Sequence, residues 1–308
     1  MKKIISKLIA LALVAALCIS FAACAEVENG SKIERIKITI SLYDEEGEAT
    51  DYDVYAKLYV NYAPNTVAHV KGLIESGYYN SLDVTHLISS YCQFGDYSLN
   101  ADGTLKELDQ GQAIEGEFEK KGFTGNRLTV SAGALILQRD EASANGVSKY
   151  DTGKATIAVA LSSSAPFDSS AYCVFGKIVA DDNNSEADSE SAEYLSSLER
   201  MLKVVDCISD EAGRKLYYCV ADDTEVNDST EEEEYNWQGQ YITYAAKDGE
   251  YNYYKGIFTA EQVESGAADA QLLTEEEVAD LSTKVTSSTN FRTVPTLRVV
   301  IKSITLVK

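Results

Sequence analysis

APNTVAHVKGLIESGYYNSLDVTHLISSYCQFGD, residues 63–96, is the stretch whose reading decides the fold. Pro64 suits the first turn of a helix, where a missing N–H costs nothing and φ is already near the helical value. Val67, Val70, Leu73 and Ile74 follow at helical spacing on one face. Gly77 is placed as a left-handed stop. Beyond Tyr78 and Tyr79 the period changes: Val84, His86 and Ile88 alternate with Thr85 and Leu87, which predicts a strand over Asp83–Ile88. Gln93 and the pair Gly95-Asp96 close the segment.

Outward from this stretch the same two periods recur. Ile36, Ile38, Ile40 and Leu42 alternate with polar residues, and Val54, Ala56, Leu58 and Val60 do so again, giving two amphipathic strands. Residues 97–125, with Gly103, Gly111, Gly122 and Gly125 among them, read as loop. The apolar runs 128–138, Ala155–Leu161 and Cys173–Val179 read as buried strands, and Leu195–Ile208 as a second helix. A final strand covers Leu297–Leu306. Many short strands with few, separated helices predict a mainly β protein, a closed barrel capped by two helices.

The order of motifs resembles the cyclophilin-type peptidyl-prolyl isomerases. Ala63-Pro64, Thr66-Val67, Leu73, Gly77-Tyr78-Tyr79, Ile88, Gln93 and Gly95-Asp96 match that family's A-P-x-T-V, L, G-Y-Y and Q-G-G-D positions. Ile114–Phe118 looks like the bacterial I-x-G-E-F, Gly133–Arg139 like G-T-I-S-M-A-R, Phe167-Asp168 with Val174–Lys177 like L-D-G with V-F-G-K, and Val294-Pro295 like the bacterial V-P ending. The resemblance implies a closed eight-stranded barrel with a helix over each open end, and isomerase activity on proline-containing polypeptides without a cofactor. It assigns 35–208 plus 290–308 to the barrel domain. The roughly 80 residues of 209–289 are an α+β insertion before the last strand, since the closing strand reappears after them.

The resemblance also locates the site and its departures. Rotation about an X–Pro bond needs an apolar pocket for the ring and a donor aimed at the prolyl nitrogen, whose lone pair localises in the twisted state. In the family a strand arginine from F-H-R supplies the donor; here Val84-Thr85-His86 stands in its place. His86 and Gln93 are therefore the catalytic candidates, with His86 a cation only below about pH 6.5. Tyr91, Cys92, Gln138, Thr156, Ala158, Phe167 and Tyr172 are the substrate-binding candidates. Ala158 removes a family phenylalanine, the aromatic floor for the proline ring. Two histidines and scattered serines give no triad context, there is no G-x-S-x-G and no phosphate loop, and no metal site is expected.

Residues 1–23 read as an export signal: Lys2, Lys3 and Lys7, an apolar core, then Phe21-Ala22-Ala23-Cys24. The small residues before Cys24 resemble the bacterial lipobox, which implies lipidation at Cys24, a tether over 24–34 and an extracytoplasmic, membrane-anchored protein. Formal net charge is −22, so no basic face is offered to nucleic acid. Cys92 and Cys173 sit in apolar contexts as small core residues, and Cys207 and Cys219 are close enough in sequence to pair in an exported protein.

The insertion carries an acidic run, Asp222–Glu234, then an aromatic patch from Tyr235 and Trp237 to Tyr254, split by the hairpin turn Lys247-Asp248-Gly249. Thr274 and Glu277 form a capping box ahead of a short helix. Two readings of the patch stand: contact with cell-wall sugars or a peptide, or a Tyr-rich hairpin packed on the barrel. The alternative for the whole chain is a non-enzymatic peptide- or glycan-binding surface lipoprotein on a degenerate cyclophilin scaffold.

Overall fold

A computed structural model describes residues 32–101, 103–140, 149–179, 200, 214–220, 236–266, 271–287 and 291–307. The expected export signal, Cys24, all of the expected helix at Leu195–Ile208 except Arg200, Cys207 and the acidic run lie outside the described residues.

Strands β1 (Ile33–Tyr43) and β2 (Ala49–Tyr59) form the antiparallel hairpin that alternation predicts. Ile36, Ile38 and Ile40 of β1 face inward at 1–3% exposure. On the outer side Lys37 and Thr39 both donate to the Asp53 carboxylate across the pair. Helix α1 (Pro64–Glu75) starts with Pro64 in its first turn and buries Val67, Val70 and Ile74. Each such side chain contributes about 1.5–3 kcal/mol. The helix ends in a Schellman motif: Tyr78 N donates to Leu73 O and Gly77 N to Ile74 O, both at 3.0 Å, with Gly77 at φ 76°.

Next come β3 (Leu82–Ile88), β4 (Tyr91–Phe94), β5 (Tyr97–Leu99), β6 (Leu105–Glu107), β7 (Ala134–Leu137), β8 (Ile157–Ala160) and β9 (Cys173–Val179). The chain ends in β15 (Val299–Val307) after a second sheet described below. Eight strands close an antiparallel barrel in the order β1-β15-β3-β4-β8-β7-β9-β2, so the first and last described strands pair with each other, Ile36 opposite Leu306 and Ile38 opposite Ile304. The fold class read from the sequence holds. Two details differ. The run 128–138 is a strand only from Ala134, because a turn bonding Ala134 N to Ser131 O precedes it. The loop expected over 97–125 contains the β5–β6 hairpin.

The remaining strands are β10 (Lys215–Cys219), β11 (Tyr241–Lys247), β12 (Glu250–Lys255), β13 (Gln271–Leu272) and β14 (Phe291–Val294). They form a second sheet in the order β13-β12-β11-β10-β14. The β11–β12 turn is the one expected, with Asp248 and Gly249 at φ 53° and 82°. Helices α2 (Ala260–Ser265) and α3 (Glu275–Ser287) accompany it. The α3 capping box forms, with Thr274 N bonded to Glu277 Oε2 at 2.8 Å and Glu277 N to Thr274 Oγ1 at 3.2 Å. One face of the sheet packs its own core of Cys219, Trp237, Ile242, Leu281 and Phe291. On the other face Leu216, Tyr218 and Val294 meet Leu105 of the β5–β6 hairpin. Edge strand β14 lies beside β3, which brings the second sheet to the barrel wall.

Candidate active-site groove

Strand alternation sorts the residues of β4 and β8. Tyr91 and Gln93 point to the outer face, while Cys92 and Phe94 join the barrel core. Thr156 opens on the outer face ahead of Ile157 and Val159, which are in the core. Together with His86, Gln138, Phe167 and Tyr172 these outer residues line a cavity of about 820 Å³. Two of the expected substrate-binding residues do not line it. Cys92 is 4% exposed within the barrel core, and burial pushes its thiol up to about 12. Ala158 is on the outer face but fully covered, packed beneath Tyr91, Phe167 and Tyr172.

That packing shows what a small residue at 158 permits. Tyr91 and Phe167 meet edge to face with centroids 4.9 Å apart, and Phe167 and Tyr172 at 5.3 Å. The two contacts form a continuous aromatic wall over Ala158. The Arg139 guanidinium caps its far end, 4.3 Å above the Tyr172 ring and hydrogen-bonded to Ala171 O at 2.7 Å. An aromatic side chain at 158 would compete with these rings for the same space.

A polar chain crosses the groove beside this wall. Gln138 Nε2 donates to Gln93 Oε1 at 3.0 Å, and Gln93 Nε2 donates to Asp96 Oδ2 at 2.5 Å. Asp96 is 4% exposed; its other oxygen accepts from Thr85 Oγ1 and Tyr97 N. The cation that balances this buried carboxylate is Arg292 of β14, whose Nη2 lies 3.1 Å from Asp96 Oδ2. Arg292 also lines the cavity and sits 5.4 Å over the Tyr97 ring. A guanidinium thus reaches the groove one hydrogen-bonded link from Gln93, supplied by the second sheet rather than by β3. Sequence reasoning missed it, since 196 positions separate Arg292 from Asp96.

The same strand also fixes His86. Thr293 N, an edge donor of β14, bonds His86 Nδ1 at 2.9 Å. An imidazole nitrogen that accepts carries no proton, so the ring proton sits on Nε2. Burial, and then the Arg292 charge, lower the His86 pKa to about 4. The sequence expectation of protonation near pH 6.5 is therefore corrected: His86 is a neutral donor at physiological pH. A depressed histidine favours the folded state only while neutral, so its contribution is complete above about pH 6.5 and lost as pH falls toward 4. We expect His86→Gln to lose less stability than the parent between those pH values, by up to about 3 kcal/mol in urea titrations. Equal losses in both proteins would refute the assignment.

Among the described residues no group of three or more His, Cys, Asp or Glu side chains is placed to hold a metal ion. The aromatic patch of the second sheet divides between two roles. Trp237 is buried and bonds Asp280, and Tyr254 packs with Val263. Tyr217, Tyr253, Tyr244 and Tyr251 instead run as a ladder of neighbouring rings on one face, from the cavity to Tyr251, which is 48% exposed.

Residues 47–187 match the family model described as cyclophilin type peptidyl-prolyl cis-trans isomerase. Among solved structures the chain is similar to a cyclophilin type peptidyl-prolyl cis-trans isomerase of Cryptosporidium parvum, at 18% identity over 55% of this chain and 85% of that one, TM-score 0.34. The same protein in the presence of the dipeptide ala-pro matches at 18% identity over 52% and 84%, TM-score 0.31. A cyclophilin from Hirschia baltica matches at 16% identity over 47% and 66%, TM-score 0.30. No curated protein matches the chain.

Proposed function

We propose that the protein isomerises X–Pro bonds, since residues 47–187 match the model of the cyclophilin-type peptidyl-prolyl cis-trans isomerase family. Its substrates are exported polypeptides, met at the membrane surface where a lipid on Cys24 would hold it. Amide resonance sets a rotation barrier of about 18–20 kcal/mol, and uncatalysed X–Pro exchange takes tens to hundreds of seconds. Lowering that barrier needs no covalent chemistry. A donor that strengthens its bond to the prolyl nitrogen only as the amide twists acts on the transition state alone, which raises kcat rather than affinity.

The observation that carries this reading is Arg292, a guanidinium that lines the same cavity as Gln93, Tyr91, Phe167 and Tyr172 and shares the Asp96 carboxylate with Gln93. The wall accepts the proline ring; Gln93, oriented by Gln138 and Asp96, offers polar contact to the peptide backbone. Arg292 donates to the nitrogen, and the Nε2–H of neutral His86 is a second donor at the same wall, its ring 5.1 Å from Tyr91.

Exchange of a proline peptide by the soluble Ala25–Lys308 form tests the proposal; a rate above the thermal one is expected. The tyrosine ladder favours a second reading, a non-enzymatic surface lipoprotein that binds peptide or glycan. Saturable binding with exchange at the thermal rate would select that reading instead.

A further inference from the structure

The charges lining the groove do not follow the chain they belong to. The protein carries a formal charge of −22, yet most of the groove's anions are already matched. Asp96 is paired with Arg292 at 3.1 Å, and Asp140 lies 3.8 Å from Lys149. Arg139 is committed to two backbone carbonyls and to the Tyr172 ring. Lys154 and Lys215 are left against the single carboxylate of Glu107, and neither lysine forms an ion pair among the described residues.

The two lysines stand on opposite walls. Lys154 precedes β8 on the barrel, its backbone carbonyl held by His69 Nε2 at 2.7 Å. Lys215 opens β10 of the second sheet, exposed and directly across from Tyr244. Between them the cavity of about 820 Å³ is larger than one proline ring requires, so residues flanking the proline share it. Two ammonium groups that share a space with one carboxylate are balanced by a second carboxylate brought by the ligand.

We infer that the groove selects proline segments carrying an acidic side chain, Asp or Glu, next to or one residue from the proline, held between Lys154 and Lys215. This rests on the isomerase reading for where the peptide lies. The overall acidic surface repels such a peptide at long range, and the preference is exerted inside the groove, within about 10 Å at 0.1 M salt. Each partly exposed pair contributes modestly, so two lysines give about a 3- to 10-fold preference over a neutral residue.

The test is a titration of the full chain in detergent with fluorescent proline peptides bearing Glu, Gln or Lys at the flanking positions. The Glu peptide is expected to bind about 3- to 10-fold tighter than the Gln peptide at low salt, with the Lys peptide weakest and the spread collapsing at about 0.5 M salt. Lys154→Gln/Lys215→Gln should erase the preference while leaving the Gln-peptide affinity unchanged. Equal affinity for Glu and Gln peptides, or a preference surviving in the double variant, overturns the inference. Because the readout is binding, a charge preference without accelerated exchange sinks only the isomerase reading. Accelerated exchange without a preference sinks only this one, and no saturable binding by any peptide overturns both.

Discussion

Arg292→Ala is expected to lower kcat/KM for a proline peptide by about a hundredfold or more, with most of the loss in kcat. The reason is differential binding. A guanidinium aimed at the prolyl nitrogen gains little from the planar ground state, where the lone pair is delocalised, and much from the twisted state. The substitution also leaves the Asp96 carboxylate buried without its cation, which by itself costs about 3–5 kcal/mol of stability. Asp96→Asn/Arg292→Ala removes the unpaired buried charge; the single amide oxygen still accepts from Thr85 Oγ1 and Tyr97 N, and Asp96→Asn alone controls for the bond from Gln93 that is lost. Arg292→Lys should retain the charge and lose the planar fork, giving an intermediate rate. A folded Arg292→Ala protein with unchanged kcat/KM would return the donor role to His86.

Glu117→Ala, away from the groove, should cost about 3 kcal/mol of stability. Its carboxylate, 2% exposed, accepts from Asn65 N at 2.9 Å and Thr66 N at 2.8 Å, the first free donors of α1. Alanine strands both N–H groups, that of Thr66 in a buried place, and removes an anion from the positive end of the helix. Glu117→Gln keeps one acceptor and should cost about half as much. Urea unfolding decides it: a midpoint shift worth under about 1 kcal/mol would mean water replaces the carboxylate without penalty.

Much of the fold was legible because local signals agreed with one another. Alternation fixed β1 and β2, Pro64 and Gly77 bounded α1, and Asp248-Gly249 and the Thr274–Glu277 box marked the second sheet's hairpin and helix. The site was legible only in part. His86, Tyr91, Gln93, Gln138, Thr156, Phe167 and Tyr172 do line one cavity. Cys92 keeps its reading as a core residue but not its motif-based place among the binding residues, since strand alternation puts it opposite Tyr91 and Gln93. Ala158 looked like a lost floor, and only coordinates reveal Tyr91, Phe167 and Tyr172 closing over it. Arg292 carried no local signal at all. Its role depends on an edge strand of the second sheet lying beside β3, a long-range contact that no periodicity encodes.

The proposed catalysis depends on that bipartite groove, and exchange NMR tests it most directly. A proline peptide in excess over catalytic amounts of Ala25–Lys308 should show cis–trans exchange cross-peaks growing far faster than the tens to hundreds of seconds of the free peptide. Cross-peak build-up indistinguishable from the peptide alone, in a protein whose amide spectrum shows it folded, would contradict the account.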